Sequence, residues 1–153
     1  MVATAGFVPF ASLGAPKDPY PLKRFPWKDA KAALAGLATV TNHGRPVQLA
    51  YVNPETGEPC MPVLGFSAMM LRPGETIKPN RRSSSAVLHV VEGEAQAEID
   101  GVTLDISESD TAAVPTHARV TIANRSRTKP AFIFQVDDAP MQRKLGFFQE
   151  FDH

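Results

Sequence analysis

The sequence predicts an all-β fold, an antiparallel sandwich or barrel, with one short helix in front of it and an extended arm in front of the helix. Three observations carry this. Fourteen prolines and ten glycines in 153 residues punctuate the chain too often for a helical protein. From Val47 onward, apolar residues run in short alternating or continuous stretches divided by turn residues, the signature of many short strands. The length corresponds to one domain at roughly 100–200 residues each, enough to bury about 68–70% of the unfolded surface without staples.

Residues 1–24 read as an extended arm carrying Phe7, Phe10 and Leu13. Met1 to Pro16 has no Lys or Arg, and Pro9 interrupts it, so it lacks the charged start and apolar core of a secretory signal. Phe25-Pro26-Trp27 opens a single domain, residues 25–153. Ala30, Ala33, Leu34 and Leu37 then share one helical face, with Lys28, Asp29 and Lys31 largely opposite, and the helix ends around Gly36 to Thr39. Asn42-His43-Gly44-Arg45-Pro46 is turn chemistry.

Strands follow at Gln48–Val52, Val63–Leu71, Ala86–Glu92 and Glu94–Ile99. In the last of these Ala95, Ala97 and Ile99 face one way, and Glu94, Gln96 and Glu98 the other. Asp100-Gly101 is a type I′ hairpin signal, whose two central residues need positive φ. The return strand puts Val102, Leu104 and Ile106 on one face. Thr111–Val114, Val120–Asn124 and Ala131–Val136 complete the set. After the break Asp137-Asp138-Ala139-Pro140 comes a tail with Leu145, Phe147, Phe148 and Phe151, too apolar to be solvated and expected to pack on the body or on a partner. No internal repeat is visible.

Composition excludes several classes. Sixteen basic and sixteen acidic residues cancel, which argues against a nucleic-acid protein held by a basic face. No stretch reaches the 18 or more apolar residues of a membrane span. Cys60 is the single cysteine, so no internal disulfide forms. This fits a reducing compartment, and a cytoplasmic location is expected.

The glycine-turn punctuation resembles that of the cupins, which fold as a double-stranded β-helix or jelly-roll barrel. Their first motif aligns without a gap from Gly74 to Gly93, and its metal-ligand positions fall on Asn80, Arg82 and Ala86. Their second motif aligns from Ser109 through Pro115 and His117 to Asn124, with its ligand position on Val120. Ser109 and His117 stand where the motif has glycine. A mononuclear iron site needs imidazole nitrogens, usually with carboxylate oxygen, converging on one ion. Ala86 and Val120 offer no donor atom, and Arg82 is a permanent cation. Only Asn80 has a weak oxygen, so no metal is expected in this chain. His89 lies in a strand and reads as structural. His117 reads as exposed, and Cys60 has no histidine or cysteine partner that would make it a nucleophile. Arg82 has two open placements. Facing inward it needs Glu98 or Glu94, or an anionic ligand, because an unpaired buried charge costs several kcal/mol. Turned to the barrel mouth it is solvated.

Further segments sharpen the resemblance. Phe25-Pro26-Trp27, Tyr51-x-Asn53-Pro54-x-Thr56-Gly57, Met61-Pro62, Leu71-Arg72-Pro73-Gly74, Val90-Val91-Glu92-Gly93, Val114-Pro115 and Asp137-Asp138-x-Pro140 occur in order. The series resembles the second cupin half of gentisate 1,2-dioxygenases and their salicylate and hydroxynaphthoate relatives. That family implies Fe(II)-dependent opening of a hydroxylated ring, with iron held in the first cupin. The chain corresponds to the second half only, which is similar to the small subunits of two-subunit hydroquinone 1,2-dioxygenases. The resemblance therefore implies a larger iron-carrying cupin partner, an α2β2 assembly and a phenolic substrate. It implies no cofactor and no catalytic residue in this chain. Phe7, Phe10, Trp27, Phe147, Phe148 and Phe151 are candidate interface residues, since obligate interfaces are large and apolar. Two alternatives stand beside this one. The first is a free-standing metal-free cupin that binds a small anionic or aromatic ligand through Arg82. The second is a homo-oligomeric enzyme with a metal on His89 or His117.

Overall fold

A computed structural model of the chain describes residues 24–153. The expected arm, with Phe7 and Phe10, lies outside the described residues apart from Arg24. The order of elements is helix α1 (Trp27–Ala38), strands β1 (Val47–Ala50), β2 (Gly65–Leu71), β3 (Thr76–Ile77), β4 (Arg81–Arg82), β5 (Ala86–Glu92), β6 (Glu94–Ile99), β7 (Val102–Ser107), β8 (Thr111–Val114), β9 (Val120–Ala123) and β10 (Ala131–Asp137), helix α2 (Ala139–Leu145) and strand β11 (Glu150–Phe151).

Two sheets face each other. One has the order β1-β2-β10-β5-β8 and the other β3-β9-β6-β7, while β11 pairs with β4 as a separate ribbon. Their inner faces meet in one apolar cluster. Met69, Leu88 and Ile133 come from the first sheet, and Ile77, Ala97 and Ile122 from the second. β2 is buried on both faces. Met69 and Leu71 point into the core, while Ala68 and Met70 point to the helix. That double burial is why its sequence is almost continuously apolar.

Helix α1 covers the outer face of the larger sheet. Leu34 is fully buried against Val47, Ala68 and Phe132. Trp27 meets Phe132 edge-on at 5.5 Å between ring centroids, and its indole Nε1 donates to Glu92 Oε1 at 2.7 Å. Lys31 Nζ donates to the other carboxylate oxygen at 2.5 Å. These hydrogen bonds, from Lys31 first and then Trp27, hold the Glu92 carboxyl below its ordinary pKa. Trp27, a candidate interface residue from sequence, is thus engaged within its own chain. Ala33 is exposed because the helix meets the sheet along a narrower stripe than its apolar pattern.

The strands keep the sequence-derived order, with corrections at the edges. β2 starts at Gly65, and the first strand stops at Ala50 apart from an isolated bridge of Val52 to Pro59. β7 is an edge strand, and only Ile106 of its apolar trio is buried; Val102 is 61% exposed. β3, β4 and β11 are two-residue strands, too short for a periodic signal. Asp100 (φ 48°) and Gly101 (φ 83°) make the expected turn. The expected break at 137–140 is instead the start of α2, a second helix. Proline is tolerated in a first helical turn, and Gly146 closes the helix in the left-handed region at φ 80°. Gly93 links β5 to β6 with φ 83°, and a Cβ there would lie 2.8 Å from the Pro130 carbonyl oxygen. Only glycine fits that close approach. Ser109 (φ 74°) and His117 (φ 60°) hold left-handed conformations at the two positions where the second cupin motif has glycine. The backbone keeps the motif's shape although the residues have changed.

A buried polar corner ties the helix to the barrel. Arg72 Nη1 donates to Glu75 Oε1 at 2.6 Å, and the Arg72 backbone N–H donates to Glu75 Oε2 at 2.8 Å. Arg72 Nη2 donates to the carbonyls of Ala38 and Thr41. Asn124 Nδ2 reaches the carbonyls of Leu71, Arg72 and Lys129, and its backbone N–H donates to the Glu75 carbonyl at 2.8 Å.

Arg72→Met should destabilise the fold by about 3–5 kcal/mol, because it strands a buried carboxylate. Urea unfolding reads this, and adding Glu75→Leu should recover part of the loss. Ser109→Gly should stabilise the same transition by up to about 1 kcal/mol by removing a left-handed penalty. An unchanged or lower midpoint would contradict that reading.

Candidate functional site

The segment from Ile77 to Ala86 crosses one end of the two sheets and carries three of the four cupin ligand positions. β9 carries the fourth. Asn80, Arg82, Ala86 and Val120 all line one cavity of about 70 Å³ between the sheets. The remaining wall is mostly apolar, including Met69, Ile77, Leu88 and Ile122. The four motif positions therefore share one cavity, but their side chains offer a metal little. Ala86 and Val120 present only carbon, and Arg82 presents a cation that would repel Fe(II). These residues do not fit a resident iron, which needs several nitrogen or carboxylate donors around an open position. Among the described residues no group of three His, Cys, Asp or Glu side chains is placed to hold a metal ion elsewhere. The volume also decides something. A water needs about 10–15 Å³ by this measure, and an engineered cavity that takes benzene has about 150 Å³. At about 70 Å³ the cavity has room for a few waters and is smaller than that benzene-binding one.

The C-terminal strand contacts the same positions. Glu150 accepts a hydrogen bond from Asn80 Nδ2 at 3.0 Å and lies 3.8 Å from Arg82 Nε. His153 Nε2 lies 3.1 Å from the Val120 carbonyl oxygen. Three of the four positions thus contact this one segment. Phe151 packs between His117, at 5.8 Å between ring centroids, and the Arg81 guanidinium, 5.4 Å from its ring. Ser83 anchors the arrangement. It exchanges backbone and side-chain hydrogen bonds with Gln149 and donates its hydroxyl to Gln142 Oε1 on α2 at 2.6 Å. Asp138, at the start of α2, accepts from the Ser85 backbone N–H.

Arg82 is half-exposed, and its carboxylate partner is Glu150 rather than Glu98. The two-residue period of β6 explains this, because it turns Ala97 and Ile99 inward and leaves Glu94 and Glu98 in solvent. Among the described residues Arg82 Nε has no hydrogen-bond partner, since 3.8 Å is an ion-pair distance and not a hydrogen bond. His89 places Nδ1 3.0 Å from Thr111 Oγ1 across the β5–β8 pair and does not line the cavity. His117 is exposed, and Cys60 is a half-buried free thiol. The structure brings together neither the two histidines nor the cysteine. In the tail, Arg143 stacks on Phe148 at 4.4 Å, whereas Phe147 is 51% and Leu145 64% exposed. Sequence reasoning missed Glu150, Ser83 and Gln142. Nothing local marks them, because their roles arise from pairing across 59–70 residues.

Two facing antiparallel sheets with a small interior site at one end define a cupin, and solved structures confirm the fold. A salicylate 1,2-dioxygenase from Pseudoaminobacter salicylatoxidans, seen in its adducts with gentisate, superposes with a TM-score of 0.79. It is 24% identical, over 98% of this chain and 42% of that one. Among curated proteins, a gentisate 1,2-dioxygenase of a Ralstonia species is 43% identical over 145 residues, covering 95% of this chain and 41% of the relative. A 5-aminosalicylate 1,2-dioxygenase of a Comamonas species is 32% identical over 136 residues, covering 87% of this chain and 36% of the relative. No protein-family model matches the chain. These similarities support a place among the gentisate 1,2-dioxygenase-like cupins. The chain spans about two-fifths of the length of the curated relatives it matches. No helix among the described residues is long and apolar enough to cross a membrane.

If the four positions still converge, restoring ligands should restore metal binding. The Asn80→His, Arg82→His, Ala86→Glu, Val120→His variant is expected to bind Co(II) with visible d–d absorption, and the parent chain to give none. A folded variant without those bands would contradict the convergence.

Proposed function

We propose that this chain is the iron-free small subunit of a two-subunit ring-cleaving dioxygenase of the hydroquinone 1,2-dioxygenase type. The observation that carries the reading is the cavity with Asn80, Arg82, Ala86 and Val120 on its wall. The four motif positions share it, and their side chains supply almost no metal donors, which supports a role beside a metal rather than on one. A chain of this lineage that takes part in oxygen chemistry then does so beside a metal held by another subunit.

In this reading a larger cupin supplies Fe(II) and the assembly converts hydroquinone and O₂ to 4-hydroxymuconic semialdehyde, so that both oxygen atoms enter the product. The proposed assembly is a cytoplasmic α2β2 heteromer. This chain contributes walls rather than reacting groups. It covers the partner's barrel, limits water and holds the pocket's shape. Exposed Leu145 and Phe147, together with Phe7 and Phe10 of the arm, form the proposed contact. The dioxygenases similar to this chain are named for gentisate and 5-aminosalicylate, and gentisate is a carboxylated hydroquinone. That kinship supports a para-dihydroxylated ring as substrate.

One observation favours a second reading, a free-standing metal-free cupin that binds a small anion. Among the described residues Arg82 Nε lacks a hydrogen-bond partner, and Arg82 lines both the small cavity and a neighbouring cleft of about 330 Å³ with Gln48, Ser67 and Arg143.

Oxygen uptake with hydroquinone separates the readings. It should be absent with this chain alone and appear when a larger cupin with an intact His-x-His pair, encoded beside it, is added. Uptake by the isolated chain, or no association with the larger cupin, would overturn the subunit reading. Anion binding lost in Arg82→Leu would then favour the second.

A further inference from the structure

Helix α1 covers only part of the outer face of the larger sheet. Beyond it lies a groove of about 430 Å³ lined by Phe25, Tyr51, Cys60, Met61, Phe66 and Phe134. Its walls are paired aromatic rings. Phe25 meets Tyr51 at 5.2 Å, Tyr51 meets Phe134 at 5.7 Å, and Phe66 stacks on Phe134 at 6.0 Å. Phe25 is 42% and Met61 43% exposed, so among the described residues the groove is open. Burial nonetheless raises the Tyr51 phenol pKa.

Phe25 forms one wall, and the chain that leads into it is Pro16-Lys17-Asp18-Pro19-Tyr20-Pro21-Leu22-Lys23. Three prolines in eight residues favour a polyproline II conformation, which has little entropy left to lose on docking. Aromatic-lined grooves are the surfaces that recognise such segments. At about 3.1 Å per residue, eight residues reach roughly 25 Å. A segment joined to the groove by one or two residues is also present at millimolar effective concentration or above, which favours it over a second copy of the chain.

We propose that residues 16–23 dock in this groove of their own chain, with Tyr20 and Leu22 as the apolar anchors. This goes beyond the subunit reading and does not depend on it. It leaves Phe7 and Phe10 free to make contacts elsewhere.

Cys60, the sole thiol, lies in the groove and reports its occupancy. In the full-length chain, alkylation of Cys60 by iodoacetamide should be slow and independent of protein concentration. Tyr20→Ser with Leu22→Ser should speed it about tenfold in a chain that is still folded, the factor for a docked-state loss near 1.4 kcal/mol, and should lower the unfolding free energy by the same amount, because docking stabilises only the folded state. A second variant, Tyr20→Cys, should oxidise to an intramolecular bridge with Cys60. Equal alkylation rates, or a Tyr20→Cys chain that forms only covalent dimers or no bridge, would overturn the proposal. So would protection that grows with protein concentration or appears only when the larger cupin is added, since the occupant would then be another chain.

Discussion

Arg72 and Glu75 stand on either side of a Pro-Gly turn, and together they bind backbone groups from the end of α1, the loop after it and the end of β9. Both side chains are out of water, with 11% and 2% exposure. A buried ion pair is not a strong source of net stability, because desolvation offsets most of the attraction. Its effect here is placement. The turn can sit in one position only, since any other would leave a buried charge or a buried carbonyl without a partner. That turn feeds β3 and the run that carries Asn80, Arg82 and Ala86, so the corner sets where three of the four cavity positions point.

The fold around the cavity needs no metal. The sheets are held by the apolar cluster around Met69, Leu88, Ile122 and Ile133. Ala86 and Val120 add to the apolar wall. Asn80 and Arg82 supply partners for Glu150 of the C-terminal strand. The left-handed backbone at Ser109 and His117 persists as well, at a steric cost glycine would not carry.

The elements with a period were legible in the sequence. β5, β6 and β8 have the expected bounds, since each has one buried face or lies in the middle of a sheet. Motif spacing singled out Asn80, Arg82, Ala86 and Val120, and all four line one cavity. The two-residue strands, the corner at Arg72 and the strap at Glu150 were not, because each depends on a partner far along the chain and leaves no local pattern. Arg82 was left open between an inward placement with Glu98 or Glu94 and a solvated one, and its ion-pair partner Glu150 was not foreseen for the same reason. Helix α2 was hidden because Asp-Asp-x-Pro suits a turn and a helix start equally well.

The central claim is that this cupin-fold chain has no capacity to hold iron at the cavity of Asn80, Arg82, Ala86 and Val120. Calorimetric titration of the isolated, folded chain with Fe(II) under anaerobic conditions tests it most directly. The account predicts no saturable binding. Stoichiometric Fe(II) binding that vanishes in His89→Ala or His117→Ala would contradict it and would place the metal in this chain.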